Sequence, residues 1–219
     1  MLAVPARICY ACSTMPGETE PSMNVAVKLP PARHPPMSVA EFLAWPGDGS
    51  DTRYELVHGE LRAQDAASDA HGSIQARLIA LLSHHLDATR PGCRVVAAPG
   101  IRPHLLANWN YRIPELGVTC TQNRADEHAM PNPILLIEVL SPSNRQETWS
   151  NIPLYASVPS VMEILLVDST RVEAQLLRRN ADGIWPTDPT PIAASGTITL
   201  TSIGFEQPLA GIYRDTYLA

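Results

Sequence analysis

The sequence predicts a mixed α/β (α+β) protein, a mixed sheet flanked by helices with a β-hairpin near its N-terminus. Three observations carry that expectation. Ile74, Leu78, Leu81, Leu82 and Leu86 recur at spacings of four, three, one and four, the stripe of an amphipathic helix. Two apolar runs of strand length, ILLIEVL at 134–140 and MEILLV at 162–167, stand between turn-forming residues. A helical segment over 145–156 lies between them, so strand, helix and strand follow in order.

Taken along the chain, residues 1–36 hold seven prolines and no sustained periodicity, which reads as a flexible leader. The folded part is expected as a single domain over 37–219, with Met23 and Met37 as alternative starts. Ser38 and Glu41 form an S-x-x-E capping box that opens a short helix through Phe42, Leu43 and Trp45, stopped at Pro46-Gly47. RYELV at 53–57 alternates as a strand should, His58-Gly59 makes a tight turn, and 60–63 returns as the second arm of a hairpin. Ser68 or Asp69 caps the long helix, and Pro91-Gly92 ends it.

Strands are then expected at 93–98, 101–105, 111–119 and 134–140, followed by the helix at 145–156, in which Pro153 must start or distort a turn. A buried strand at 162–167 pairs with 171–177 across a turn at 168–170. Short edge strands near 192–200 and a terminal segment at 209–217 complete the chain. Ser141-Pro142-Ser143 reads as a strand-to-helix turn with a capping hydroxyl rather than as a nucleophile.

Composition sets outer bounds. The chain has 219 residues, 45% of them hydrophobic and 17% charged, enough to bury a core and too apolar for a wholly disordered protein. No run approaches the ~18–20 apolar residues of a membrane-spanning helix. A net charge of −6 argues against coating nucleic acid by bulk charge, though not against gripping a phosphate backbone over a small area. The charge is uneven: residues 53–112 carry seven arginines against five acids, and residues 113–219 six arginines against twelve acids. Lys28 is the only lysine.

Cys9 and Cys12 form a lone C-x-x-C with no second pair to complete a zinc site. Together with Cys93 and Cys120 they read as no disulfide framework, which fits a reducing cytoplasm. His84 and His85 on the long helix lack H-E-x-x-H spacing. The chain also has no G-x-G-x-x-G, P-loop or G-x-S-x-G, so no nucleotide cofactor is expected.

Two acids stand out. Glu138 lies inside the apolar run 134–140, where a carboxylate costs several kcal/mol unless paired, protonated or bound to a metal. Glu115 follows Pro114 in another strand-like segment. Acids on adjacent strands suit a hard divalent cation, Mg²⁺ or Mn²⁺, which takes oxygen ligands and waters. The alternative is that Glu138 pairs with an arginine and Glu115 is solvated.

Taken together, RYELVHGEL at 53–61, His71, RIPEL at 112–116 and IEVLSPS at 137–143 resemble the Uma2 family. This former DUF820 group comprises candidate restriction endonucleases of bacteria. Tyr155, Val158-Pro159 and EILLVD at 163–168 extend the likeness, which covers about residues 37–178. The resemblance implies a restriction-endonuclease-like core of the PD-(D/E)XK superfamily acting on DNA with a divalent metal. It places Glu115 where the family has the Asp of its Pro-Asp pair and Glu138 at the second metal-binding acid. Glu60 matches the family's hairpin glutamate and His71 its frequent helix-start histidine.

The resemblance also exposes a departure. The lysine expected four residues before the tyrosine is Asn151, which can hold a water but brings no charge to lower its pKa. Arg145 is a further source of charge, although its guanidinium stays ionised. The sequence therefore supports a metal-dependent DNA endonuclease with Glu115, Glu138 and Asn151 at its centre, homodimeric if both strands are cut in one encounter. The alternative is a catalytically inactive nuclease fold kept as a nucleic-acid or protein interaction module.

Overall fold

The computed structural model describes residues 36–219. Almost all of the expected leader, with Cys9 and Cys12, lies outside them. The capping box forms as its residues demand. Ser38 accepts from the Glu41 amide, and the Glu41 carboxylate accepts from the Ser38 amide at 2.7 Å, opening α1 (Val39–Ala44). The hairpin is β1 (Tyr54–Val57) and β2 (Glu60–Ala63), joined by His58 and Gly59 at φ 51° and 83°. Two successive positive φ angles suit the right-handed twist of a two-residue hairpin turn. Ser68 caps α2 (Asp69–Thr89), and Ile74, Leu78, Leu82 and Leu86 are all buried on one face.

The main sheet has six strands: β3 (Arg94–Ala97), β4 (Leu116–Thr119), β5 (Pro133–Leu140), β6 (Glu163–Asp168), β7 (Ala174–Arg178) and β8 (Thr190–Ile192), adjacent in that order. All neighbours are antiparallel except β5 and β6, which run parallel because α3 (Arg145–Ala156) carries the chain across between them. β5 and β6 are central and buried on both faces, which is why their sequences read as continuous apolar runs. Ile137 and Val139 pack with α2, whereas Leu136 and Leu140 join Ile152 and Tyr155 of α3. A second hairpin, β9 (Thr197–Leu200) with β10 (Phe205–Pro208), adds Ile198, Leu200 and Phe205 to the α2-side core.

Three expectations are corrected. Residues 101–105 form no strand; only Ile101 bridges to Arg112, and the amides of His104 and Leu105 donate to the Ser157 hydroxyl instead. The strand expected over 111–119 is confined to β4 with isolated bridges at Tyr111 and Arg112, since Pro114 has no amide to give a ladder. The short edge strands expected near 192–200 are β8 and β9, while β10 was not anticipated. Cys93 and Cys120 are joined by a disulfide. The pairing of Arg94 with Thr119 sets them opposite each other, one step beyond the ladder. That bond removes the cysteine argument for a reducing compartment. Among the described residues, no helix is long and apolar enough to cross a membrane.

Asp168 ends β6 and ties it to two neighbours. Its Oδ2 accepts from Arg145 at 2.5 Å and Arg171 at 3.1 Å, and its Oδ1 accepts from Thr170. Burial opposes its ionisation, but these hydrogen bonds outweigh it and hold the carboxyl down to about 2. A depressed carboxyl contributes stability that is complete above its unfolded value of 3.8 and is lost as pH falls through about 2. Asp168→Asn is expected to destabilise the protein at neutral pH and to flatten the stability loss between those two values. Urea unfolding across the acid range checks this; parallel wild-type and variant profiles would contradict it.

Candidate functional site

A cleft of about 1010 Å³ opens where α2 and α3 both begin, at the end of the sheet nearest the β1–β2 hairpin. Its walls bring together Arg53, Glu55 and Arg62 of the hairpin region, His71 and Gln75 of α2, Glu115, Glu138, and Glu147 and Asn151 of α3. Four of the six sequence candidates meet there: Glu115, Glu138, Asn151 and His71. Glu60 is exposed beside the hairpin turn and does not line the cleft. Arg145 is engaged by Asp168 and does not line it either.

Strand register brings the two acids together. Leu116 pairs with Ile137, so one step further the same antiparallel register sets Glu115 against Glu138. Directly opposed positions on antiparallel strands hold their Cβ atoms about 5 Å apart. Glu115 sits just outside β4, where its side chain is free to turn toward α2. Its Oε1 lies 2.9 Å from His71 Nε2, and its Oε2 accepts from Gln75 Nε2 at 2.9 Å. Both oxygens of the longer glutamate arm are thereby fixed.

Glu138 is 6% exposed, and its one side-chain partner among the described residues is the Tyr155 hydroxyl, which donates to Oε1 at 2.6 Å. Burial is the main force on this carboxyl and pushes it up to about 8. The Tyr155 hydrogen bond pulls the other way, and the nearby Glu55 and Glu115 add to the rise. No arginine among the described residues neutralises it. The sequence alternative of a Glu138–arginine pair is therefore not what the structure holds.

The floor beside this pair was not read from the sequence. Arg112 is 1% exposed, and its Nη1 lies 3.2 Å from Glu55 Oε2 and 3.9 Å from Glu147 Oε1. Arg62 also reaches Glu147, at 3.4 Å. Glu55 Oε1 accepts from the Ile113 amide at 2.6 Å, which pins the segment leading into Pro114 and Glu115. Burial pushes Glu55 up, against the Ile113 amide and the Arg112 charge. The available signal was Glu55 itself, an acid inside an alternating strand, but alternation alone does not say which face is buried. Gln75 had no signal beyond its place one turn after His71.

The donor set fits a hard divalent cation. Glu115 and Glu138 offer carboxylate oxygens, and the Asn151 Oδ1 is buried with no hydrogen-bond partner among the described residues. Among the described residues, no three His, Cys, Asp or Glu side chains form a ready-made metal cluster. A cation held here would complete its shell with water or substrate oxygens, as Mg²⁺ commonly does.

A family profile, Uma2, described as "putative restriction endonuclease", matches residues 39–208. The chain belongs to the Uma2 family. An uncharacterized protein of Synechocystis sp. is 32% identical over 187 residues, covering 84% of this chain and 95% of its own. The chain is also similar in structure to a protein from Anabaena variabilis, described as a "putative nuclease belonging to DUF820". The TM-score is 0.64 over 81% of this chain and 98% of that one. At 14% identity that likeness shows the fold alone, a mixed α+β architecture with a mixed central sheet.

The raised Glu138 carboxyl makes a prediction about stability. Between its ordinary value of 4.5 and about 8, the native state keeps a proton that the unfolded chain has released. Stability therefore falls as pH rises through that window. Glu138→Gln is neutral throughout and lacks this loss, so its melting temperature relative to wild type should climb from about pH 5 to about pH 8. Thermal unfolding at a series of pH values checks it, and a constant difference between the two proteins would rule out a buried, proton-holding Glu138.

Proposed function

We propose that this chain is a divalent-metal-dependent DNA endonuclease that hydrolyses phosphodiester bonds in the cleft, with Glu115 and Glu138 as metal ligands. The observation that carries this reading is a buried carboxyl without a counter-cation, set by strand register against a second acid at the base of an open cleft. Membership of a family described as restriction endonucleases supports the same chemistry and DNA as the substrate. Mg²⁺ or Mn²⁺ bound there would supply a Lewis acid and lower the pKa of a bound water.

The chain's own groups have distinct tasks in this reading. Tyr155 orients Glu138 through Oε1, while His71 and Gln75 hold Glu115 and take up the extra methylene of its arm. Asn151, with its unpartnered Oδ1 on the cleft, holds the attacking water by accepting its proton in a hydrogen bond. It brings no positive charge, so the step is slower than with a lysine. Arg53 and Arg62 line the cleft as donors for phosphate oxygens. Seven acids share that lining: Asp51, Glu55, Asp65, Asp69, Glu115, Glu138 and Glu147. A polyanion enters such a cleft only when cations offset them, which makes DNA binding itself depend on the divalent ion. Cutting both strands in one encounter would pair two copies of the chain on one duplex.

The second reading, an inactive nuclease fold acting as an interaction module, is favoured by Asn151 at the lysine position. Plasmid nicking in Mn²⁺ separates the two. Wild type is expected to nick, Glu138→Ala to fall to background, and Asn151→Lys to raise the rate roughly tenfold or more. If wild type and Asn151→Lys are both folded and inert, the nuclease reading is wrong and the module reading replaces it.

A further inference from the structure

The cleft carries one feature that the catalytic reading leaves unused. Among the described residues, Tyr217 is the only Phe, Tyr or Trp that lines the cleft, and it is 74% exposed; the rest of the wall is mostly charged, hydroxyl, amide and small side chains. An aromatic ring so open to water has no packing role of its own.

The chain on either side of it is anchored. Tyr213 is fully buried, and its hydroxyl donates to the carbonyls of Asp168 at 2.7 Å and Glu173 at 3.0 Å. Thr216 donates through its hydroxyl to the Tyr213 carbonyl and accepts from the Leu218 amide. Leu218 packs against the main core. The terminal turn is thus bound to the β6–β7 connection, which also supplies Ser169 and Thr170 to the cleft. The Ser169 amide in turn donates to the Leu140 carbonyl, two residues from Glu138 on the same strand. The backbone that carries the ring is thus anchored on both sides of Tyr217, and the ring lines the same cleft as the two acids. It also lies past residues 39–208, the span matched by the family profile.

We propose that Tyr217 is a stacking platform for an unpaired nucleobase, so that the cleft takes a DNA strand with at least one base out of its duplex. Inside a duplex both faces of a base are covered by its neighbours, and a rim-mounted ring has nothing to stack on. An unpaired, frayed or flipped base offers a free face, and base–aromatic stacking is worth about 1–3 kcal/mol, roughly five- to 150-fold in affinity. With the base on Tyr217, the strand's phosphates run on toward Glu115 and Glu138. This inference rests on the nucleic-acid reading of the cleft, and it adds the form of the substrate.

The test uses the full chain with Ca²⁺ or Mn²⁺ and a short single-stranded DNA bearing one 2-aminopurine, whose fluorescence is quenched by stacking. The same strand annealed to its complement is the duplex control, and plasmid nicking is run in parallel. Wild type should quench the single strand and bind it more tightly than the duplex. Tyr217→Phe should retain both effects, whereas Tyr217→Ala should lose the quench and weaken single-strand binding roughly tenfold. Duplex binding should be the same in all three proteins. If wild type nicks plasmid but Tyr217→Ala binds and quenches the single strand as wild type does, the platform is refuted while the nuclease reading stands. If wild type binds neither probe and nicks nothing, both fall together. Loss of the quench in Tyr217→Phe as well would assign the ring's hydroxyl, not its face, and overturn the proposal.

Discussion

Burying Glu138 in the most apolar strand of the sheet is the constraint around which the cleft is organised. Its displacement from 4.5 to about 8 corresponds to about 5 kcal/mol between the protonated and ionised forms. That is comparable with the whole stability of an ordinary domain, about 5–15 kcal/mol, so the strand cannot hold the charge without help. Tyr155 gives one hydrogen bond, and Glu55 and Glu115 work against it. Two species relieve the site: a proton or a cation. The fold otherwise has no reason to keep a carboxylate between Leu136 and Leu140, because an apolar residue there would pack without cost.

The surrounding polar network fixes geometry more than it adds stability. Arg112 links Glu55 of the hairpin with Glu147 of α3, and Glu55 holds the Ile113 amide in the segment before Glu115. Three pieces of chain far apart in sequence are thus joined behind the acids. Removing Arg112 would leave the buried Glu55 carboxyl without a counter-charge, the costly way to break such a network, while Glu147 would keep Arg62. Asp168 serves similarly on the other flank, joining the start of α3 to the β6–β7 turn and, through the Tyr213 hydroxyl on its carbonyl, to the C-terminal segment.

Much of this was legible in the sequence where local signals and burial agreed. The capping box at Ser38, the His58-Gly59 turn, the Ile74–Leu86 stripe and the run over 134–140 each produced the expected element, because each satisfies its backbone and buries its apolar face locally. The 101–119 region failed for the converse reason. Its apolar residues resemble strands, yet its hydrogen bonds go to Ser157, to Leu56 and between Ile101 and Arg112, partners that no local pattern reveals. At the site, Glu115, Glu138, His71 and Asn151 were found from an acid in an apolar run and from family resemblance. The attachment of Arg145 to Asp168, away from the cleft lining, could not be read locally because it is a contact across 23 residues. Glu55, Gln75 and Arg112 went unnoticed because the contacts that join them to the site link residues far apart in sequence. Cys93 and Cys120 looked unpaired because only the β3–β4 register brings them opposite.

The central claim is that a divalent cation takes the place of the Glu138 proton. Calorimetric titration of Mn²⁺ at about pH 7, repeated in buffers of different ionisation heat, counts the protons released on binding. Ligands must be deprotonated to bind a metal, and a carboxyl held up to about 8 is mostly protonated at that pH. The account predicts release of about one proton per bound ion in wild type and none in Glu138→Gln, where binding is also weaker. Tight Mn²⁺ binding with no proton release, or equal binding by the variant, would contradict it.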